Sequence, residues 1–531
     1  MTVLMVGGAI PAGAQETAPI PPEPFLRTTP SLFESAPSLS QLTDSEAPPP
    51  PTPPPADFSL EDRLRHLEQQ FSAQQMETEQ LRARLAELST PKDSKPDPKL
   101  FKGTWKNQLT FESPDKNFSV HLGGRTQLDT VWLADNPAAF GKGNGAGDAD
   151  AVDFRRARFR MEGTIYKTLE YVMEYDFVNS VNDNAGLIGG VPSQPASAAN
   201  VINVTAPTDL YWTFHEVPVF QNIRVGNQKE PIGLEHFTSS RYLDFMERSF
   251  NQDAYTGPFN NGFTPGVSFY RHFGDDDRGL FHAGVFKNIV NVFTYGVADA
   301  AYAVDGRLTY LIWNEDEGRR LLHVGAAFSY RDLLNDQMRI RTRGSLRNGP
   351  AAYDPVFADT GVFLGNSQDL MAAEASLVLG SFQVQSEFIS SAVQNARNTA
   401  GTVNYGTSMS NGYYVMASYF LTGEHREYDK KNAAFGRVIP RRNSRLLPDD
   451  CSEQGWGAWQ VLARYSALDL NDQPLNGGQV WDCTLGVNWF LNPNMKIQAN
   501  YVYMDRNSLN SPTAPGSGPI HGFGMRLAHD F

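Results

Sequence analysis

Tyr171-Val-Met-Glu-Tyr-Asp-Phe177 alternates without a break: Tyr171, Met173, Tyr175 and Phe177 share one side of an extended chain, Glu174 and Asp176 the other. That period of two is the signature of a β-strand. Four large apolar side chains opposite two carboxylates suit a strand with lipid outside and a polar lumen inside. A sandwich would bury the apolar face instead, so alternation alone leaves both readings open. Upstream, His121-Leu-Gly-Gly-Arg-Thr-Gln-Leu-Asp-Thr130 sets Arg125, Gln127 and Asp129 against Leu122, Leu128 and Trp132. No run approaches the ~18 consecutive apolar residues of a membrane helix. A membrane reading therefore requires a closed barrel.

Link lengths favour the barrel. Short links fall at Lys167–Glu170, Gly274–Arg278, Asn314–Gly318, Gly380–Ser381 and Asn492–Asn494. Long ones fall near 133–152, 179–208, 230–262, 333–369, 392–411 and 506–518. This near-alternation matches short periplasmic turns and long outer loops, and it predicts an all-β chain: a sixteen-stranded antiparallel transmembrane β-barrel over 100–531. A basic stretch, 422–455, interrupts the pattern on the periplasmic side. In the closing strand Phe523, Met525, Leu527 and terminal Phe531 share one face, as in strands that direct barrel insertion, although His529 is a departure.

The barrel is preceded by other material. Residues 1–14 read as the end of a secretory signal, cleaved after Ala12-Gly-Ala14, and the lack of a basic residue before it points to a start further upstream. Residues 15–56 are Pro-rich and predict an extended tether. Leu60, Leu64, Leu67, Phe71, Leu81, Leu85 and Leu88 alternate steps of four and three, interrupted at Gln74 and Thr78. They predict a short α-helical coiled coil over 57–90, or else a lone amphipathic helix, followed by a Pro-containing linker at 91–99. The net charge of −14 argues against nucleic acid as a partner. Cys451 and Cys483, placed at opposite rims, predict no bridge. Gly147–Asp153 and Asp275–Asp277 read as solvated turns rather than metal sites, and no metal or cofactor is expected.

The chemistry concentrates in arginines. Phe154-Arg-Arg-Ala-Arg-Phe-Arg160 puts Arg156, Arg158 and Arg160 on one strand face, with Arg155 at its mouth. Arg339, Arg341 and Arg343, followed by Arg347, repeat the spacing, which aligns guanidiniums ~7 Å apart. Such a row offers an anion successive forks of donors, so it can enter, hop and leave. The competing reading is a charged face paired with Glu162, Glu174 and Asp176.

Further motifs are Leu122-Gly-Gly-Arg-Thr-Gln127, Phe154-Arg-Arg-Ala157, Ile232-Gly-Leu-Glu235, Thr238-Ser-Ser240 and Glu247-Arg248. With them come Tyr330-Arg-Asp-Leu333, Leu421-Thr-Gly-Glu424, Gly457-Ala-Trp459 and Thr484-Leu-Gly-Val-Asn-Trp489. On these the chain resembles the phosphate-selective porin O and P family over nearly all of 100–531. The resemblance implies a trimeric outer-membrane barrel whose loop after the fifth strand folds inward to hold phosphate. It implies anion-binding roles for Arg125, Arg155, Arg156, Ser239, Ser240 and Arg248. Asp209 would accept a hydrogen bond from hydrogen phosphate, and Arg339, Arg341, Arg343 and Arg347 would form an outer ladder. Departures stand at Arg158 and Lys229, where the family has aromatic or acidic residues, and at His236 and Arg241, where lysines are expected. The added charge points toward pyrophosphate, unless Glu230 and Glu235 neutralise it.

Passive uptake of inorganic phosphate or other small anions is thus the leading expectation, with outer-membrane lipid around the barrel and the N-terminal arm in the periplasm. A general non-selective porin competes with it. The arm would act as a tether to the cell wall. An enzyme on the barrel wall would have to rely on His215, near Asp209, and is the weakest alternative.

Overall fold

The computed structural model describes residues 59–89, 101–105, 108–134, 136–140, 150–182, 201–256, 262–287, 299, 301–347, 349, 354–446 and 455–531. The signal, the Pro-rich arm, the linker and Cys451 lie outside the described residues.

One unit contains a helix, α1 (Leu60–Ser89). Ser59 caps it: its Oγ accepts from the Asp62 amide and donates to the Asp62 carboxylate at 2.7 Å. Leu64, Leu67, Phe71 and Leu81 are exposed, so this part of the heptad stripe has no cover from the described residues of its own unit.

The other unit is the barrel. Its strands are β1 (Phe118–Leu133), β2 (Ala151–Ile165), β3 (Leu169–Asp176), β4 (Ala206–Val217), β5 (Gln221–Gln228), β6 (Thr264–Phe273), β7 (Gly279–Lys287) and β8 (Tyr302–Glu315). They continue as β9 (Arg320–Asp332), β10 (Ser367–Leu379), β11 (Phe382–Arg397), β12 (Asn404–Phe420), β13 (Ala458–Asp472), β14 (Leu475–Asn492), β15 (Met495–Asn507) and β16 (Ser517–Asp530). Each pairs antiparallel with the next, and β16 closes on β1 from Gly522↔Leu133 to Asp530↔Arg125. These are the sixteen strands expected. Closure leaves no unpaired edge among them, which an apolar surrounding demands.

Alternation divides the faces. Val461, Leu485, Val487, Tyr501, Phe523, Met525 and Leu527 point outward and are exposed, whereas Arg464, Asp482, Asn488, Gln498 and Arg526 are buried inside. Leaving each large apolar side chain in water rather than in an apolar phase forgoes about 1.5–3 kcal/mol. Such an exterior is stable in lipid.

The seam explains Gly123-Gly124. Phe531 exchanges both backbone hydrogen bonds with Gly124, at 2.9 and 3.2 Å. A Cβ on Gly123 would fall 2.5 Å from the Phe531 carbonyl oxygen, and one on Gly124 would fall 2.9 Å from the Phe531 ring. Below that point a hairpin, Lys102–Trp105 with Leu109–Glu112, takes over the ladder from Leu109↔Leu122 to Glu112↔Ser119.

Three expectations need correction. β11 and β12 run on past the apparent loop 392–411, leaving only 398–403 between them, because Val393, Ala396 and Arg397 remain laddered. The turns at 218–220 and 473–474 and the connection 288–301 carry weaker signals and add the three missing links. Cys483 is free and outward-facing within β14, paired with Tyr465 and Tyr503, rather than at its start.

Arg526 pairs with Asp129 at 2.6 Å and Glu247 at 2.9 Å in the interior. Arg526→Met leaves the buried Asp129 carboxylate without its ion pair, removes one of the four guanidiniums around Glu247, and should destabilise the barrel by about 3–5 kcal/mol. Urea unfolding in lipid vesicles reads this. Arg320→Met, which breaks only the exposed pairs with Glu315 and Asp316, should leave the midpoint unchanged.

Candidate functional site

Two bulges aim the key side chains. Along β1 and β2 the register passes from Gln127↔Arg156 directly to Leu128↔Phe154, so Arg155 is an extra residue. A bulge sets two residues against one and lets neighbours share a face. Phe154 stays outward, while Arg155 reaches the loop carboxylate of Glu247 and Arg156 bonds Gln127 Oε1 at 2.8 Å. Arg155 is thus not at the strand mouth but in the lumen. The second bulge lies between β3 and β4, where Met173↔Leu210 is followed by Tyr175↔Pro207. Thr208 and Asp209 both oppose Glu174, and Asp209 turns inward.

The loop residues 229–256 fold into the barrel because the wall satisfies their backbone. Lys496 and Gln498 donate to Leu243 O, Asn488 and Gln498 to Asp244 O, and Arg464 to Glu247 O. The Met246 amide donates to Asn500 Oδ1 at 2.9 Å, and the Glu235 amide to Glu387 Oε1 at 2.6 Å. Met246, Phe250 and Tyr255 pack with Leu346 and Phe357 of an outer loop. Near the loop's start is one helical turn, Leu234–Phe237. Lys229 donates to the carbonyls of His236, Phe237 and Thr238 at 2.6, 3.3 and 3.5 Å. Arg248 donates to Glu235 O at 2.9 Å and Thr238 O at 2.7 Å.

These groups surround a cavity of about 590 Å³. It is lined by Arg125, Arg155, Arg156, Arg158, Asp209, Lys229, Ser239, Ser240, Arg241, Arg248 and Arg347, all of them expected from the sequence. Most of the arginines are paired. Arg125 meets Glu174 at 2.5 Å and donates to Ser240 Oγ at 2.6 Å and Ser239 Oγ at 3.3 Å. Arg158 holds Asp176 at 2.7 Å and Glu174 at 3.1 Å. Asp209 accepts from Arg160 at 2.7 Å. Lys229 and Arg248 differ: among the described residues neither pairs with a carboxylate. The lining carries eleven Lys or Arg against nine Asp or Glu, a sign opposite to that of the whole chain.

Burial, then the neighbouring Arg248, lowers the Lys229 ammonium well below its usual range. Burial lowers Arg248 to about 10, against the pull of Glu235 and Glu247. His236 is held neutral by burial and by Lys229. An anion entering here would restore the charge that the site disfavours.

The sequence matches the family described as phosphate-selective porin O and P over residues 120–531. The chain belongs to that family. It is similar to Porin O of Pseudomonas aeruginosa, 27% identical over 80% of this chain and 91% of that protein. An uncharacterised protein of Caulobacter vibrioides is 25% identical over 78% of this chain and 74% of its own length. Among solved structures, an anion-selective porin from Comamonas acidovorans covers 78% of this chain and 100% of its own, with 14% identity and a TM-score of 0.44. Family and fold make the protein an outer-membrane porin, a channel rather than an enzyme.

In this porin three expected residues lie elsewhere. Arg339 pairs with Asp359 at 2.5 Å, and Arg343 is buried against Asp253 at 3.0 Å. Arg341–Arg343 is a short strand paired with Val356–Asp359, from which Arg343 reaches Asp253 of the in-folded loop instead of lining the cavity. Arg341 does not line the cavity either; burial lowers it to about 10. Glu230 pairs with Arg331 at 2.7 Å, and Glu235 accepts from Ser249 at 2.7 Å, so neither neutralises Lys229 or Arg158. His215 bonds Asn222 and Glu170, and no hydroxyl or thiol is among its described partners.

The lining also includes residues not singled out beforehand. Arg160 sits on the arginine-rich face that the spacing predicted. Arg224 stacks over Tyr211 at 4.2 Å and was legible as an alternating strand residue. Lys431 comes from the segment 421–457, which returns into the lumen through a hairpin of Tyr428–Asp429 and Ala434–Phe435; nothing in the sequence signals that return.

Burial raises the Asp354 carboxyl to about 6, against the pull of Arg347 and Arg343, from an ordinary value near 4. A carboxyl raised on folding adds stability at low pH that is lost as pH climbs through about 6. The wild-type unfolding midpoint should therefore fall between pH 5 and 7 relative to that of Asp354→Asn. Anion selectivity should rise over the same interval as pH falls, because protonated Asp354 no longer offsets Arg347 and Arg343. Reversal potentials at the two pH values check the second effect.

Proposed function

We propose that the porin takes up small anions passively, phosphate or pyrophosphate first, through a constriction made by the in-folded loop. The observation that carries this is the anchoring of Lys229 and Arg248 by backbone carbonyls. Carbonyl dipoles hold the side chains in place without cancelling a full charge, so Lys229 and Arg248 face the cavity with no carboxylate in direct contact among the described residues. Ser239, Ser240, Arg125, Arg155, Arg156, Arg158 and Arg241 would complete the donor set, with Asp209 accepting from hydrogen phosphate. Arg339, Arg341 and Arg343 would attract anions from the outer side through their summed field rather than by direct contact, whereas Arg347 would also meet them in the cavity. The added charge at Arg158 and Lys229 favours pyrophosphate.

The assembly is proposed as a homotrimer, with the heptad helix as a coiled coil in the periplasm and the Pro-rich arm as a tether to the cell wall. Deleting residues 15–99 should then spare conductance. A general porin is the second reading, favoured by the extent to which wall arginines are already paired with wall carboxylates.

Reversal potential in a planar bilayer, in a chloride gradient and then with phosphate, separates the two. Strong anion selectivity with phosphate block is expected, with pyrophosphate blocking at lower concentration. Lys229→Gln and Arg248→Gln should each raise the half-blocking phosphate concentration about tenfold, as for loss of one charge-assisted hydrogen bond. Weak or cation selectivity, with no effect of either substitution, would leave a general porin. Equal half-blocking concentrations for the two anions would remove the pyrophosphate preference alone.

A further inference from the structure

The segment between β12 and β13 does more than enter the lumen; its later part lies along the short-turn rim. The Ser444 amide donates to Leu491 O at 2.7 Å, the Gly455 amide to Asn443 O at 2.7 Å, and the Arg445 amide to Gly455 O at 3.2 Å. Arg442 and Arg445 are thereby stitched beside Trp456. The Trp456 carbonyl accepts from both Trp459 Nε1, at 3.0 Å, and Trp489 Nε1, at 2.7 Å. Those two rings stack at 5.0 Å on the outward face of β13 and β14. Held through its carbonyl, Trp456 presents its indole outward, 73% exposed. Leu421, whose amide bonds Trp459 O, and Leu446 are also exposed.

The charge beside this apolar row is basic. Arg441, Arg442 and Arg445 are exposed; among the described residues none of their guanidiniums pairs with a carboxylate, and Glu424 instead accepts from the Arg441 backbone amide at 3.0 Å. The Arg441 guanidinium lies against Gly423, where a Cβ would stand 2.6 Å from Nη1, two residues from Leu421. None of the three lines the lumen cavity.

We propose that this rim patch is a binding site for an anionic phospholipid of the leaflet on the short-turn side. Tryptophan settles at the membrane–water boundary, and arginine just beyond it attracts negative headgroups. The phosphodiester would lie on Arg441, Arg442 and Arg445, and an acyl chain along Leu421, Trp459 and Trp489. Continuity with the lipid-facing wall is what selects a lipid over a soluble phosphate or a wall polymer. A water-soluble anion would have no use for the apolar half.

The test is native mass spectrometry of the delipidated full chain titrated with phosphatidylglycerol and with phosphatidylethanolamine. Phosphatidylglycerol should bind roughly tenfold more tightly. The triple variant R441Q/R442Q/R445Q should bring it to the phosphatidylethanolamine level with conductance unchanged. Equal retention of the two lipids, or an unaltered preference in the variant, overturns the proposal. So does variant-sensitive binding to purified peptidoglycan without a lipid preference. Should the variant fail to assemble, a photoreactive phosphatidylglycerol on the wild type decides: crosslinks within 421–459 support the site, and crosslinks confined elsewhere overturn it.

Discussion

Glu247 projects from the in-folded loop into arginines that come from three other parts of the chain. Arg155 and Arg156 arrive from β2, Arg526 from the closing strand and Arg347 from an outer loop, at 2.8, 3.9, 2.9 and 3.8 Å. Burial alone would force that carboxyl to protonate; the surrounding guanidiniums hold it well below the usual carboxylate range. The dependence runs both ways. Four guanidiniums packed this closely repel one another, and Glu247, helped by Asp129 at Arg526 and Asp253 at Arg347, makes their arrangement tolerable. Loop insertion and a cationic wall are therefore each a condition for the other.

What faces the cavity is the remainder after this neutralisation. Most wall arginines are matched by Glu174, Asp176, Asp209 or Glu162. The residual positive charge sits where anchoring is done by peptide carbonyls instead. A chain with an overall excess of acid can in this way enclose a basic lumen. Net charge speaks to the solvated surface, whereas passage depends on a few groups out of water.

Much of this was legible in the sequence, for physical reasons. A membrane strand must alternate, so Arg125, Gln127 and Asp129 could be assigned inward, and Met173 and Phe177 outward, from spacing alone. Sixteen strands followed from the same pattern plus link lengths. Where the backbone breaks period, the reading failed. The bulge at Arg155 leaves no mark in an Arg-Arg pair, and only the ladder shows that both side chains face inward. The outer arginines erred in the opposite way. Their spacing of two was real, but acids distant in sequence, Asp253 and Asp359, claim Arg343 and Arg339. Tertiary partners of that kind have no local signature. The return of Lys431 into the lumen was invisible for the same reason.

The two-part seam on β1 has a consequence for solubility outside the bilayer. A closed cylinder has no free backbone along its rim, but here the lower ladder of β1 is completed by Leu109–Glu112, and that strand by Lys102–Trp105. Lys102–Trp105 pairs with no second neighbour among the described residues, and all four of its residues are exposed. An open margin of the sheet has thus been moved past the end of the closing strand, to where water can satisfy its amides. An unpaired margin is also a template on which another chain's strand can grow. Lys102, at the end of this one, places a charge where a flat apolar edge would invite such growth.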